Sequence, residues 1–146
     1  MAKKTLTIEI TGIKEAFSKI TTNFKKASDE IDMEMGNGIE KIITQAKTLL
    51  PAQYGRLRSS LNVIKTSKFN YRYGSNVDYA AYVEFGTGNY AAAYVPSLEA
   101  EWQKLALSYK TTGKGTLPKS PYLYPSTIIG QKNIINNIKA TIKRYV

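Results

Sequence analysis

The sequence predicts an α+β fold: a long N-terminal helix and a C-terminal helix packed on a small antiparallel sheet or hairpin, with an extra helical insertion. Three observations predict it. Apolar residues recur at three- and four-residue steps near both ends of the chain, the period of a helix with one buried stripe. Between them, short stretches alternate apolar and polar residues, the period of a half-buried strand. Residues 87–118 begin and end in glycine- and threonine-rich sequence that reads as an insertion. A chain of 146 residues suits one domain, 1–146.

Thr5–Ile10 sets Leu6, Ile8 and Ile10 on one side and Thr5, Thr7 and Glu9 on the other, a strand that Thr11-Gly12 ends. From Ile13 the period changes. Ile13, Phe17, Ile20, Phe24, Ala27, Ile31, Met35, Ile39, Ile42, Ala46 and Leu49 mark one stripe on a helix that Pro51 stops. A helix of about 37 residues would be about 55 Å long, whereas a globule of this size is roughly 38 Å across. Either it breaks at Gly36-Asn37-Gly38 or part of it packs on another molecule. The cluster Asp29-Glu30-Ile31-Asp32-Met33-Glu34 is placed to meet a neighbour's basic end.

After Pro51 a short helical turn carries Gly55-Arg56-Leu57-Arg58. Leu61 and Val63, then Phe69, Tyr71 and Tyr73, alternate with polar residues, so a hairpin turns near Ser67-Lys68. Tyr71 and Tyr73 share one face and Arg72 takes the other. Asp78 is the expected N-cap of a short helix through Tyr79, Tyr82 and Val83, with Gly86 as its C-terminal glycine. Within the insertion, Leu98, Trp102, Leu105 and Tyr109 share a helical face, with Glu99 and Glu101 early and Lys110 late, as the helix dipole favours. Ile128, Ile135, Ile138, Ile142 and Tyr145 mark the terminal helix, beginning after Pro125.

Composition closes off much chemistry. The chain has no Cys and no His, which excludes disulfides, thiolate ligands and the commonest general base. No stretch approaches the roughly 18 apolar residues that cross a bilayer, so no membrane partner is expected and the protein is expected in the cytosol or in something assembled there. Gly113-Lys114-Gly115-Thr116 lacks the spacing of a phosphate loop. Ser59 and Ser60 have no activating base, and Asp78 and Glu84 no third acid for a metal. No catalytic residue, cofactor or metal is expected.

Charge and tyrosine speak to partners instead. The net charge is +10, from 21 basic and 11 acidic residues. Residues 1–50 are nearly balanced, and no acidic residue follows Glu101, whereas Lys104, Lys110, Lys114, Lys119, Lys132, Lys139, Lys143 and Arg144 do. Such a positive end suits nucleic acid or an acidic protein surface, and equally a solvated face. The 11 tyrosines fit a core or a protein interface better than a base-stacking platform, because Tyr71 and Tyr73 are separated from Arg72.

Three segments, read together, carry a resemblance. They are Leu50-Pro51 with Gly55-Arg56-Leu57-Arg58-Ser59-Ser60, then Asp78-Tyr79-Ala80-Ala81-Tyr82-Val83-Glu84-Phe85-Gly86-Thr87, then Pro118 with Ser120-Pro121-Tyr122-Leu123-Tyr124-Pro125. In this order the chain resembles the gene-product-ten-like tail-component family of tailed phages, most specifically over Tyr79–Thr87. It departs from the family pattern at Tyr54, where Thr usually precedes the glycine, and in the length of its insertion.

The resemblance implies a non-enzymatic virion protein of the neck, a ring of six or twelve copies between portal complex and tail tube. Its partners would be itself, the neighbouring connector, adaptor, tail-tube or terminator proteins, and genome DNA in the lumen through the basic C-terminal half. A tail terminator setting tail length is the nearest variant, and a basic nucleic-acid-binding phage protein the rival. The resemblance marks Pro51, Gly55, Arg56, Leu57, Arg58, Tyr79, Ala80, Tyr82, Val83, Glu84, Phe85, Gly86, Pro121, Leu123 and Pro125 as structural or interaction residues. Within them, Glu84 is expected to pair with Arg56 or Arg58, with Tyr79, Tyr82 and Phe85 packed beneath.

Overall fold

The computed structural model describes residues 5–10 and 25–145. The expected helical stripe from Ile13 to Phe24 lies outside the described residues. From Lys25 the helix α1 runs unbroken to Leu49, and the stripe Ala27, Ile31, Met35, Ile39, Ile42 and Ala46 is buried as its period requires. Leu49 is the exception at 41% exposed, and Leu50 is buried in its place.

Three strands form an antiparallel sheet in the order β1-β3-β2: β1 is Leu6–Ile10, β2 Asn62–Ser67 and β3 Asn70–Ser75. Tyr73 sits opposite both Ile8 and Val63 on the helix-facing side, and Tyr71 and Tyr73 are buried. Arg72 points the other way and pairs with Glu9 across the strands at 3.1 Å. The alternation thus separates Tyr71 and Tyr73 from Arg72, as the sequence predicts.

The last helix, α6, spans Leu123–Tyr145 and lies antiparallel to α1, since Glu30 meets Arg144 while Gly38 meets Ile134 and Ile42 meets Gly130. The glycines make the close approach possible. A Cβ on Gly38 would stand 2.2 Å from Ile134 Cγ1, and one on Gly130 2.1 Å from Ile42 Cγ1. Each helix therefore offers a glycine notch and, four residues away, an isoleucine that fills the other's notch. Gly36-Asn37-Gly38 does not break the helix: Gly36 faces the Tyr71 ring of the sheet and Gly38 faces Ile134, and these contacts offset the roughly 1 kcal/mol each glycine costs in helix propensity.

Three of the four carboxylates of the acidic cluster on α1 pair within the chain. Asp29 pairs with Lys68, Glu30 with Arg144 and Tyr145, and Asp32 with Lys65. Asp32 also accepts the Phe69 N–H and the Tyr71 hydroxyl, both at 2.9 Å. That bond holds the hairpin tip, where Phe69 is in the left-handed region at φ 66° with its ring buried.

A 3-10 turn at Ala52–Tyr54 leads into α2, Gly55–Ser60, and after the hairpin comes α3, Ala80–Phe85. Asp78 does not cap α3. The first turn is closed by the Val77 carbonyl, which accepts the Ala80 N–H at 3.2 Å, and Asp78 stays exposed. The insertion holds two helices where one is expected: α4, Gly88–Tyr94, and α5, Ala100–Ser108, joined through a 3-10 turn at Val95–Ser97. Its two ends meet. Thr87 N–H bonds the Leu117 carbonyl at 2.9 Å, Leu117 N–H bonds Thr87 Oγ1 at 2.8 Å, and Gly88 N–H bonds the Thr111 carbonyl at 2.9 Å. Trp102 anchors α5 by edge contacts with Phe85 and Tyr124, ring centroids 6.3 and 5.0 Å apart.

Two details of α6 correct the expectation. It begins at Leu123, so Pro125 falls in its first turn, where a missing N–H costs no intrahelical bond. Its buried stripe runs through Leu123, Thr127, Ile134 and Ile138, while Ile135 is 50% exposed.

Candidate functional site

Two of the three segments singled out in the sequence form one unit. Val83 O accepts the Ser120 N–H at 2.8 Å, and Ala80 O accepts the Tyr122 hydroxyl at 2.9 Å. Between these contacts the Glu84 carboxylate is completely buried beneath the start of α6. Its Oε2 accepts the Tyr122 N–H at 2.6 Å, and its Oε1 accepts the Leu123 and Tyr124 N–H groups at 2.8 and 2.5 Å. The first backbone N–H groups of a helix have no partner within it, and a carboxylate there also meets the positive end of the helix dipole. A side chain 38–40 residues upstream thus supplies what a local N-cap usually supplies. Burial pushes the Glu84 carboxyl up to about 7, against the three N–H donors, which favour its ionised form.

Gly86 makes the approach possible. It ends α3 at φ 76°, donating its N–H to the Tyr82 carbonyl at 2.9 Å, and a Cβ there would stand 2.9 Å from the Lys119 nitrogen. Phe85 and Val83 are fully buried on either side of Glu84, and Tyr79 and Tyr82 are half-buried. Tyr82 donates its hydroxyl to the Tyr109 carbonyl at 3.2 Å, tying α3 to the end of α5. Pro121 and Pro125 flank the turn into α6, both partly buried.

The first segment works at another helix end. Pro51 stops α1, and Arg58 reaches back from α2 to its last carbonyls: Nε bonds Lys47 O at 3.1 Å and Nη2 bonds Leu50 O at 2.8 Å. A cation at a helix C-terminus is favourable for the same reason that an anion suits the N-terminus. Leu57 beside it is completely buried, while Gly55 and Arg56 are exposed. The expected ion pair between Glu84 and Arg56 or Arg58 is therefore not formed. Each charge answers a helix dipole instead, Arg58 the C-terminus of α1 and Glu84 the N-terminus of α6.

This arrangement is a clamp rather than a reaction centre, since the carboxylate oxygens face backbone donors inside the fold. Sequence reasoning missed three other structural contacts: Asp32 at the hairpin tip, and the notches at Gly38 and Gly130. The basic residues after Glu101 are exposed and spread over α5, the 110–119 stretch and α6, with Arg144 bound to Glu30 at 2.8 Å. No helix among the described residues is long and apolar enough to cross a membrane.

Comparison with known proteins identifies a family. A family model described as "Bacteriophage HK97-gp10, putative tail-component" matches residues 12–86, slightly more than half of the chain. The matched span takes in α1, Arg58 and the Glu84 helix, and it ends at Gly86, before the insertion. No curated protein and no solved structure matches.

Proposed function

We propose, from the premise that the chain belongs to the HK97-gp10-like family of bacteriophage tail components, that it is a non-enzymatic ring subunit of the head–tail connector, joining or completing the tail. The coarser statement follows from the family: this is a structural protein of a tailed phage, and its partners are other virion proteins. The finer reading rests on the clamp. Glu84 and Arg58 fix the ends of the two longest described helices from inside the fold, the construction of a rigid part that meets neighbours without remodelling. Of the residues that the sequence marks, Leu57, Arg58, Ala80, Val83, Glu84, Phe85, Gly86 and Leu123 build that rigidity, whereas Gly55 and Arg56 are exposed. A terminator ring would be built in the same way, and it remains the nearest variant.

Electron microscopy of particles from a nonsense mutant in this gene tests the reading. DNA-filled heads beside separate tails of normal length are the expected result. Tails of uncontrolled length would move the protein to the terminator role. Intact infectious particles would overturn both and bring forward duplex binding through the basic half, which should weaken steeply with salt.

A further inference from the structure

A pocket of about 550 Å³ lies beside α4, apart from the clamp. Tyr90, Ala93 and Tyr94 of α4 line it together with Asn89, and Pro118 and Lys119 complete it from the far end of the insertion. Both parts are fixed before anything binds. Ala91 is completely buried and seats α4 on the core. The Thr87–Leu117 bonds and the Ser120 N–H on the Val83 carbonyl hold the 117–120 stretch. The volume is that of an ordinary ligand pocket, and a preformed pocket costs little ordering to fill. Two tyrosine rings, an alanine and a proline make it largely apolar, and Lys119 is the one charge among its described lining residues. No carboxylate pairs with Lys119 among the described residues. Its ammonium lies 4.6 Å from the ring centroid of Tyr94, an attraction that keeps it beside the pocket. Among the described residues no other lysine after Glu101 is held over a ring, which gives this charge a place that the others lack.

We infer that the pocket receives a short apolar segment of a neighbouring virion protein that carries a carboxylate. An apolar side chain of the segment would cover Tyr90, Ala93 and Pro118, and its carboxylate would meet Lys119. Charge complementarity selects an acidic occupant, since the described lining holds one cation and no anion. The rings, Ala93 and Pro118 select an apolar one. A nucleic acid fits less well. Lys119 already covers a face of the Tyr94 ring, which a stacked base would need, and a duplex presents no unstacked base. A single lysine also cannot follow a phosphate backbone. The inference rests on the chain being a virion protein, and not on its place in the neck.

The test is photo-crosslinking in whole virions, with Tyr90→benzoylphenylalanine introduced into the full chain and the cross-linked peptide mapped by mass spectrometry. The expected product joins this position to a segment of a different virion protein, with an Asp, Glu or C-terminal carboxylate beside the cross-linked residue. That identity is read with Lys119 in place, so it does not depend on how a further variant folds. Adding Lys119→Glu should lower the yield per copy at least about tenfold, because like charges then meet. Lys119→Arg, and Lys104→Glu as the control lysine outside the pocket, should leave it unchanged. A product with DNA, with a second copy or with a segment lacking a carboxylate would overturn the inference. So would an equal loss in Lys104→Glu, or no product from particles that contain the protein. Particles that lack the protein altogether would overturn the virion reading itself.

Discussion

Gly38 lies directly under Ile134, with space for a hydrogen where any other residue would place a Cβ 2.2 Å from the isoleucine Cγ1. Gly38→Ala gains about 1 kcal/mol of helix propensity but forces α1 and α6 apart at an overpacking cost of up to about 3 kcal/mol. A net loss of about 1–2 kcal/mol is expected in chemical denaturation. Gly55 is the control, since nothing lies within 4 Å of its Cβ position and its φ is helical; Gly55→Ala should stabilise by up to about 1 kcal/mol.

Glu84→Ala leaves three N–H groups at the start of α6 without acceptors, two of them buried. Each such orphan costs about 1–3 kcal/mol, so a loss of at least about 3 kcal/mol is expected, with α6 exchanging its amide hydrogens first. A melting temperature equal to that of the unmodified chain would refute the clamp.

Arg58→Ala uncovers the last carbonyls of α1, which remain reachable by water at this half-buried end. The expected loss is smaller, about 1–2 kcal/mol. Arg58→Lys should recover only part of it, because one ammonium cannot reproduce the two directed N–H bonds to Lys47 and Leu50. Urea denaturation of the two variants measures both figures.

Two carboxylates impart opposite pH dependences. Burial raises Glu84 from 4.5 to about 7, so the folded chain holds a proton that the unfolded chain has released; its contribution is fully present below pH 4.5 and is lost as pH rises through about 7. Burial also pushes Asp32 up, but Lys65, the Phe69 N–H and the Tyr71 hydroxyl outweigh it and hold the group below 3.8. Its contribution is present above that value and lost as pH falls through the lowered one. Denaturation profiles should show Glu84→Gln flattening the neutral limb and Asp32→Asn the acid limb. The unchanged neutral slope in Glu84→Gln would contradict the first assignment.

The sequence made the periodic parts of the fold legible. Ile31, Met35, Ile39 and Ile42 announce α1, and Tyr71, Arg72 and Tyr73 announce a strand with two unlike faces, because burial imposes those spacings. It misled where a residue's partner lies far along the chain. Asp78 has the chemistry of a cap, yet α3 needs none from it; Glu84 has the chemistry of an ion-pair partner, yet it caps a helix beginning 39 residues later. Gly36-Asn37-Gly38 reads locally as a break, since helix propensity is local and the pressure of Ile134 is not. Arg58 and Glu84 both stand out in the sequence pattern, but the helix end each one serves is set by the fold: Arg58 meets the last carbonyls of α1 and Glu84 the first N–H groups of α6.

The most direct measurement is gold labelling of the protein, tagged in virions of the phage that encodes it, followed by electron microscopy. The account predicts label confined to the junction of head and tail. Label along the tail shaft, at the distal tip, or only inside the head would contradict it.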